Sequence, residues 1–132
     1  MVKTNDDLQG MLIRLDRRFE KLDDDTILVG MGADQAPVAL RMAHPVLVAQ
    51  TRIGPAPKGD PAREAKLFRH LLGLNASDLF HAAYALEGDD IVLTAALELD
   101  SLDLNELEAV LADMGMAQSV HVPGLREMVG KK

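Results

Sequence analysis

A chain of 132 residues is the size of one domain, long enough to bury a core and too short to house a cofactor domain beside a substrate domain. Its formal charge of −7 repels phosphate backbones and anionic lipid surfaces, and it has no basic run longer than the pairs Arg17-Arg18 and Lys131-Lys132, so neither nucleic acid nor a membrane is an expected partner. Cysteine is absent, which excludes disulfides, thiolate nucleophiles and Cys-based zinc sites and is compatible with a reducing cytoplasm.

Residues 1–7, MVKTNDD, lead straight into a polar helix with no apolar leader, and no stretch is long and apolar enough to span a bilayer, so a soluble cytoplasmic protein is expected. Thr4 is a good helix cap with Asp6 and Asp7 in the turn that follows. Behind it Leu8, Met11, Leu12, Leu15, Phe19 and Leu22 recur at helical spacing, which predicts one amphipathic helix over about residues 5 to 22. The acidic turn Asp23-Asp24-Asp25 stops it.

Three short β-prone runs follow, Thr26 to Met31, Pro37 to Ala43 and Val46 to Ile53, and they read as an antiparallel meander. Val38, Leu40 and Met42 share one parity against Ala39 and Arg41, as a strand with one buried face requires. Residues 54–61, GPAPKGDP, form a loop, and Asp60-Pro61 starts a helix expected to reach about Leu74. Its apolar residues Ala65, Leu67, Phe68, Leu71, Leu72 and Leu74 spread over about 180°, wider than one sheet can bury. Part of that arc is therefore expected in a subunit interface, or under a loop.

Leu79 to Leu86 and Ile91 to Leu97 are two further strands, joined by the hairpin signal Glu87-Gly88-Asp89-Asp90. Asp103 with Glu106 makes a capping box for a last helix with Leu104, Leu107, Val110, Leu111 and Met114 on its buried side, fading near Gly115 or a few residues later. Val122-Pro123-Gly124 is expected to break the chain, with one short turn over Leu125 to Val129. The order α-β-β-β-α-β-β-α, with strands in runs rather than alternating βα units, argues for an α+β fold in a single domain.

Chemistry-bearing patterns are sparse. His44, His70, His81 and His121 include no pair at helical i, i+3 or i, i+4 spacing, so they read as turn and surface histidines rather than metal ligands. The carboxylate clusters Asp23 to Asp25 and Glu87 to Asp90 lack the alternation of a calcium loop. Gly30-x-Gly32 and Lys58-Gly59-Asp60 lack the frame of a phosphate cradle, and Ser77, Ser101 and Ser119 sit in no nucleophile elbow. No catalytic residue and no cofactor are expected. Asp100-Ser101-Leu102 matches the phosphopantetheine site of acyl carrier proteins in three letters, but the β-rich residues before it do not suit a helical bundle; Asp100, Ser101 and Asp103 read better as competing caps.

From Ala65 to Val129 the chain resembles the superfamily that joins type III secretion chaperones of the Tir-chaperone (CesT) type with YbjN-like proteins. Leu71-Leu72-x-Leu74-Asn75, Ala83-Tyr84-Ala85-Leu86-Glu87-Gly88-Asp89, Ile91-Val92-Leu93-Thr94 and Leu97-Glu98-Leu99 through Leu102-Asp103-Leu104-Asn105-Glu106-Leu107 carry the likeness. It implies a small acidic homodimer, with a twisted antiparallel sheet of about five strands flanked by helices, that holds a partly unfolded client without ATP. In that frame Leu67, Leu71 and Leu74 are expected at the dimer contact. Val46 and Val48, with the small hairpin residues Ala83, Ala85 and Ala96, are expected to offer client surface, since small side chains permit close approach of another backbone. The alternative within the superfamily is a YbjN-like regulator or adaptor that binds one folded partner.

Overall fold

The structure, a computed structural model, describes residues 2–128. Its elements in chain order are α1 (Asn5–Arg14), β1 (Phe19–Lys21), β2 (Thr26–Val29), β3 (Val38–Ala43), β4 (Val46–Pro55), α2 (Pro61–Ser77), β5 (Ala83–Glu87), β6 (Asp90–Glu98), α3 (Leu104–Val120) and α4 (Val122–Met128). The strands form one sheet in the order β1-β2-β3-β4-β6-β5, and every pairing is antiparallel. The expected α+β architecture is present, with six strands rather than about five.

The extra strand comes from the expected first helix, which stops eight residues early. Thr4 and Asp7 close a capping box at its start, as the polar N-terminus suggests. At its end Asp16 adopts the left-handed conformation (φ 59°), its N–H bonds to the Ile13 carbonyl at 3.0 Å, and Arg17 N–H bonds to the Leu12 carbonyl at 2.9 Å. That is a Schellman stop with aspartate where glycine is usual, so the sequence carries no obvious terminator. Phe19 then pairs opposite Val29 as the edge strand β1, and Leu22, expected on the helix stripe, lies exposed beyond it.

Alternation along the central strands separates the two faces of the sheet. Leu40 on β3, Leu47 and Ala49 on β4 and Leu93 and Ala95 on β6 point into one core together with Leu8 and Leu12 of α1, Leu67 and Leu71 of α2 and Leu107, Leu111 and Met114 of α3. All of these helices therefore lie on the same side. A core of Leu, Val, Ala and Met with few aromatics follows directly from the composition. Among the described residues every buried side-chain nitrogen or oxygen has a hydrogen-bond partner.

The starts of β5 and α4 also differ from expectation. β5 begins at Ala83 rather than Leu79, because the buried Asp113 carboxylate of α3 accepts the backbone N–H groups of Phe80, His81 and Ala82 at 3.2, 2.8 and 2.9 Å and takes them out of the ladder. α3 passes through Gly115 and ends at Val120, within the few further residues expected; a Cβ on Gly115 would stand 3.4 Å from the Met31 methyl, in contact with the β2–β3 loop. That loop is tied to α3 by Gln118, whose amide both accepts from Ala36 N–H (2.8 Å) and donates to its carbonyl (3.0 Å). α4 already starts at Val122, with Pro123 in its first turn where a missing N–H costs nothing, while the expected turn's last residue, Val129, lies outside the described residues.

Candidate protein-interaction site

The face of the sheet away from the helices is where all five expected client residues meet. Val48 on β4 is directly opposite Ala96 on β6, Val46 is opposite Glu98, and on the far side of β6 Ala83 and Ala85 of β5 are opposite Thr94 and Val92. Val46, Val48 and Ala83 are half-buried, while Ala85 and Ala96 are exposed. No helix among the described residues covers them, so this face is a shallow floor of small side chains. Ala39, opposite Gln50, and Ala43, opposite Val46, continue it onto β3.

One end of this face is polar. Arg52 reaches Asp90 at 2.9 Å, Lys58 reaches Asp89 at 2.8 Å, and Gln50 donates to Glu87 at 3.0 Å across β6. The hydrogen bond and charge of Asp90 raise the Arg52 guanidinium value, and the Asp90 carboxyl is lowered in return. Both pairs are well exposed, and exposed ion pairs add little stability. Their consequence is spatial: Val92, buried although it points away from the main core, lies beneath this end, and the apolar floor opens only toward Val48 and Ala96.

A second apolar surface lies between α2 and the β5–β6 hairpin. Here the structure corrects the sequence expectation in part. Leu67 is fully buried in the subunit's own core and Leu71 nearly so, while Leu74 is half-buried, so Leu67 has no surface to give a second copy. The outward side of the wide arc is Leu72, 67% exposed, beside Leu86, 52% exposed at the hairpin. Phe68, Leu71, Leu72, Tyr84, Ala85, Leu86 and Ile91 line an apolar cavity of about 160 Å³ between them. Leu72 was legible as part of the 180° arc; Leu86 was not, because its parity matches the core residue Ile91 opposite and only its place near the hairpin tip exposes it.

Beneath this patch α2 grips β5 through polar contacts that no sequence spacing announces. Asn75 accepts from Tyr84 N–H at 2.7 Å and donates to the Tyr84 carbonyl at 3.1 Å. The Tyr84 hydroxyl is 2.9 Å from His121 Nδ1, and His121 Nε2 is 3.0 Å from Asp78 Oδ2. Burial, reinforced by the negative charges of Asp113 and Asp78, holds the Tyr84 phenol well above its usual value. The Ser77 hydroxyl, then His121, lowers the Asp78 carboxyl. His121 is thus a buried partner at the end of α3 and not the surface histidine its sequence position suggests. Tyr84, His121 and Asp78 come together, and through them α2, β5 and α3 are linked.

No group of three or more His, Cys, Asp or Glu side chains suited to a metal ion occurs among the described residues. Ser101 is exposed in the turn after β6, before a helix capped by Asp103 with Glu106; a six-stranded sheet is not the helical bundle of a carrier protein. No helix among the described residues is long and apolar enough to cross a membrane.

Comparison with solved structures places this fold among known ones. A chain of the heterodimeric ExoU–SpcU complex from the type III secretion system of Pseudomonas aeruginosa superposes with a TM-score of 0.68 at 19% identity, covering 91% of this chain and 95% of that one. YbjN of E. coli, a candidate transcription regulator, gives 0.67 at 15% identity over 98% and 96%. The Yersinia pestis type III secretion chaperone SycH, solved with a stable fragment of YscM2, gives 0.57 at 19% identity over 87% and 95%. No curated protein matches the chain. The CesT_Tir_1 family model matches residues 1–131, and with nearly the whole chain matched, this protein belongs to the CesT_Tir_1 family.

Proposed function

We propose that this chain is a small, acidic, cytoplasmic homodimer that holds an extended segment of a client polypeptide, as a type III secretion chaperone does, without ATP, cofactor or catalysis. The observation that carries the reading is the uncovered sheet face, where Val46, Val48 and Ala96 form an apolar floor that no helix among the described residues shields. An extended segment lying there exchanges water for apolar contact, and the small side chains let its backbone come close. Membership of the family and the fold shared with SycH support the same role. The dimer contact in this reading is the apolar surface of α2 and the hairpin, with Leu72, Leu86 and the rim residue Phe68 in place of Leu67, while Leu71 and Leu74 support it from behind.

The likeness to YbjN, over 98% of this chain, favours a second reading in which the protein regulates one folded partner. Capture of partners from the native host followed by limited proteolysis separates the two. A client held as a chaperone holds it is cleaved around a protected extended segment; a regulated partner stays compact. The variant V48D, folded by circular dichroism, is expected to lose at least about tenfold in capture, the effect of a charge at an interface centre. Undiminished capture by V48D removes the sheet face from the proposal.

A further inference from the structure

β5 is an edge strand, and in its antiparallel pairing with β6 alternate residues turn their backbone groups outward. Glu87 and Asp90 close a two-residue hairpin, with Gly88 at φ 60°, so Ala83, Ala85 and Glu87 bond inward to β6 while Tyr84 and Leu86 face out. Outward N–H and C=O groups on an edge strand are a template for another strand. The strand most available to any molecule of this chain is β5 of a second copy, and self-pairing of an edge is a self-complementary two-fold contact.

Tyr84 is not open to it. The Asn75 carboxamide binds both of its outward backbone groups, N–H at 2.7 Å and C=O at 3.1 Å, which is the pair of bonds a neighbouring strand residue would make. Only one orientation of the amide satisfies both, so oxygen and nitrogen are assigned by their partners. Leu86 has no such guard: nothing among the described residues pairs with its outward groups. We propose that Asn75 seals the β5 edge by standing in for a seventh strand at Tyr84, so that two copies meet through side chains and do not join their sheets through β5. The capping of Tyr84 stands on the fold alone, while the meeting of two copies through side chains rests on the dimer contact proposed above.

The guard is separable from the core. Tyr84 keeps its hydroxyl contact to His121, and α2 keeps Leu67 and Leu71 in the core, so the variant N75A is expected to fold. In the unaltered chain, amide exchange by nuclear magnetic resonance is expected to find Tyr84 slow and Leu86 fast. In N75A the Tyr84 amide is expected to exchange roughly three- to tenfold faster, the loss of about one hydrogen bond. Sedimentation of N75A should add a species larger than any the unaltered chain forms at the same concentration. The variant N75D keeps an acceptor for Tyr84 N–H and sets a negative charge at the edge, so it should sediment as the unaltered chain does. Equally fast Tyr84 and Leu86 amides in the unaltered chain overturn the proposal even if N75A fails to fold. So do an unchanged Tyr84 amide in N75A, sedimentation of N75A identical to the unaltered chain, or a larger species in N75D.

Discussion

The two faces of one sheet are built from neighbouring residues of the same strands, and they differ in what covers them. On β4 and β6 the side facing the helices carries Leu47, Ala49, Leu93 and Ala95, all enclosed, whereas the side one residue out of step carries Val48 and Ala96, open to solvent or half so. Strand alternation makes such a division inevitable; the choice of small apolar residues for the uncovered side does not follow from it. The hairpin end of the same side is polar instead, with Arg52, Glu87 and Asp90. The difference locates stability on one face and, in the proposed function, recognition on the other.

Substitutions that respect this division should separate the two properties. The largest effect is expected from L93A, which leaves a cavity under a fully enclosed side chain and should cost about 2–5 kcal/mol in chemical denaturation. Next comes D113A, which strands the N–H groups of Phe80, His81 and Ala82 and should cost about 2–3 kcal/mol, with loss of amide protection confined first to the α2–β5 loop. V48A, on the open face, should cost under about 1 kcal/mol; a cost equal to that of L93A would mean that this face is part of the core.

Two smaller effects depend on pH. Burial holds the Tyr84 phenol above its ordinary value of 10.0, so the unfolded chain loses that proton first. Stability from the neutral phenol is complete below pH 10.0 and falls as pH rises from there toward the folded value. Tyr84 is the sole tyrosine in a chain without tryptophan, so tyrosinate absorbance reads it directly, and Y84F should remove that part of the alkaline slope. Asp78 has the opposite sign: its carboxyl is lowered from 3.8, so its contribution is complete above that pH and fades as pH drops toward the folded value. D78N should flatten this slope in acid titrations followed by circular dichroism, the smallest of these changes because the side chain is 43% exposed and its charge is screened by water.

Much of this architecture is legible in the chain because local signals and burial agree. Asp60-Pro61 and Asp103 with Glu106 start α2 and α3 where their capping geometry says they should, and the alternation of Val38, Leu40 and Met42 gives the buried face of β3. The first helix misleads because Leu15, Phe19 and Leu22 keep helical spacing by coincidence, while the real stop depends on Asp16 tolerating a left-handed turn. The start of β5 misleads because its ladder is displaced by a carboxylate more than thirty positions downstream, at Asp113. Contacts set by tertiary meeting, such as Asn75 with Tyr84 or His121 with Asp78, have no signature in local spacing. The same limit separates Leu67 from Leu72: both belong to the wide arc, and only packing decides which is enclosed.

The most direct test uses the absence of cysteine to put a lone thiol on the uncovered face. The variant A96C, labelled with a thiol reagent alone and again after loading with a partner captured from the native host, reports whether polypeptide lies over β4 and β6; S101C, in the exposed turn after β6, serves as the reference. Protection at position 96 with undiminished labelling at position 101 is the predicted result. Equal labelling at position 96 with and without the bound partner would contradict the account.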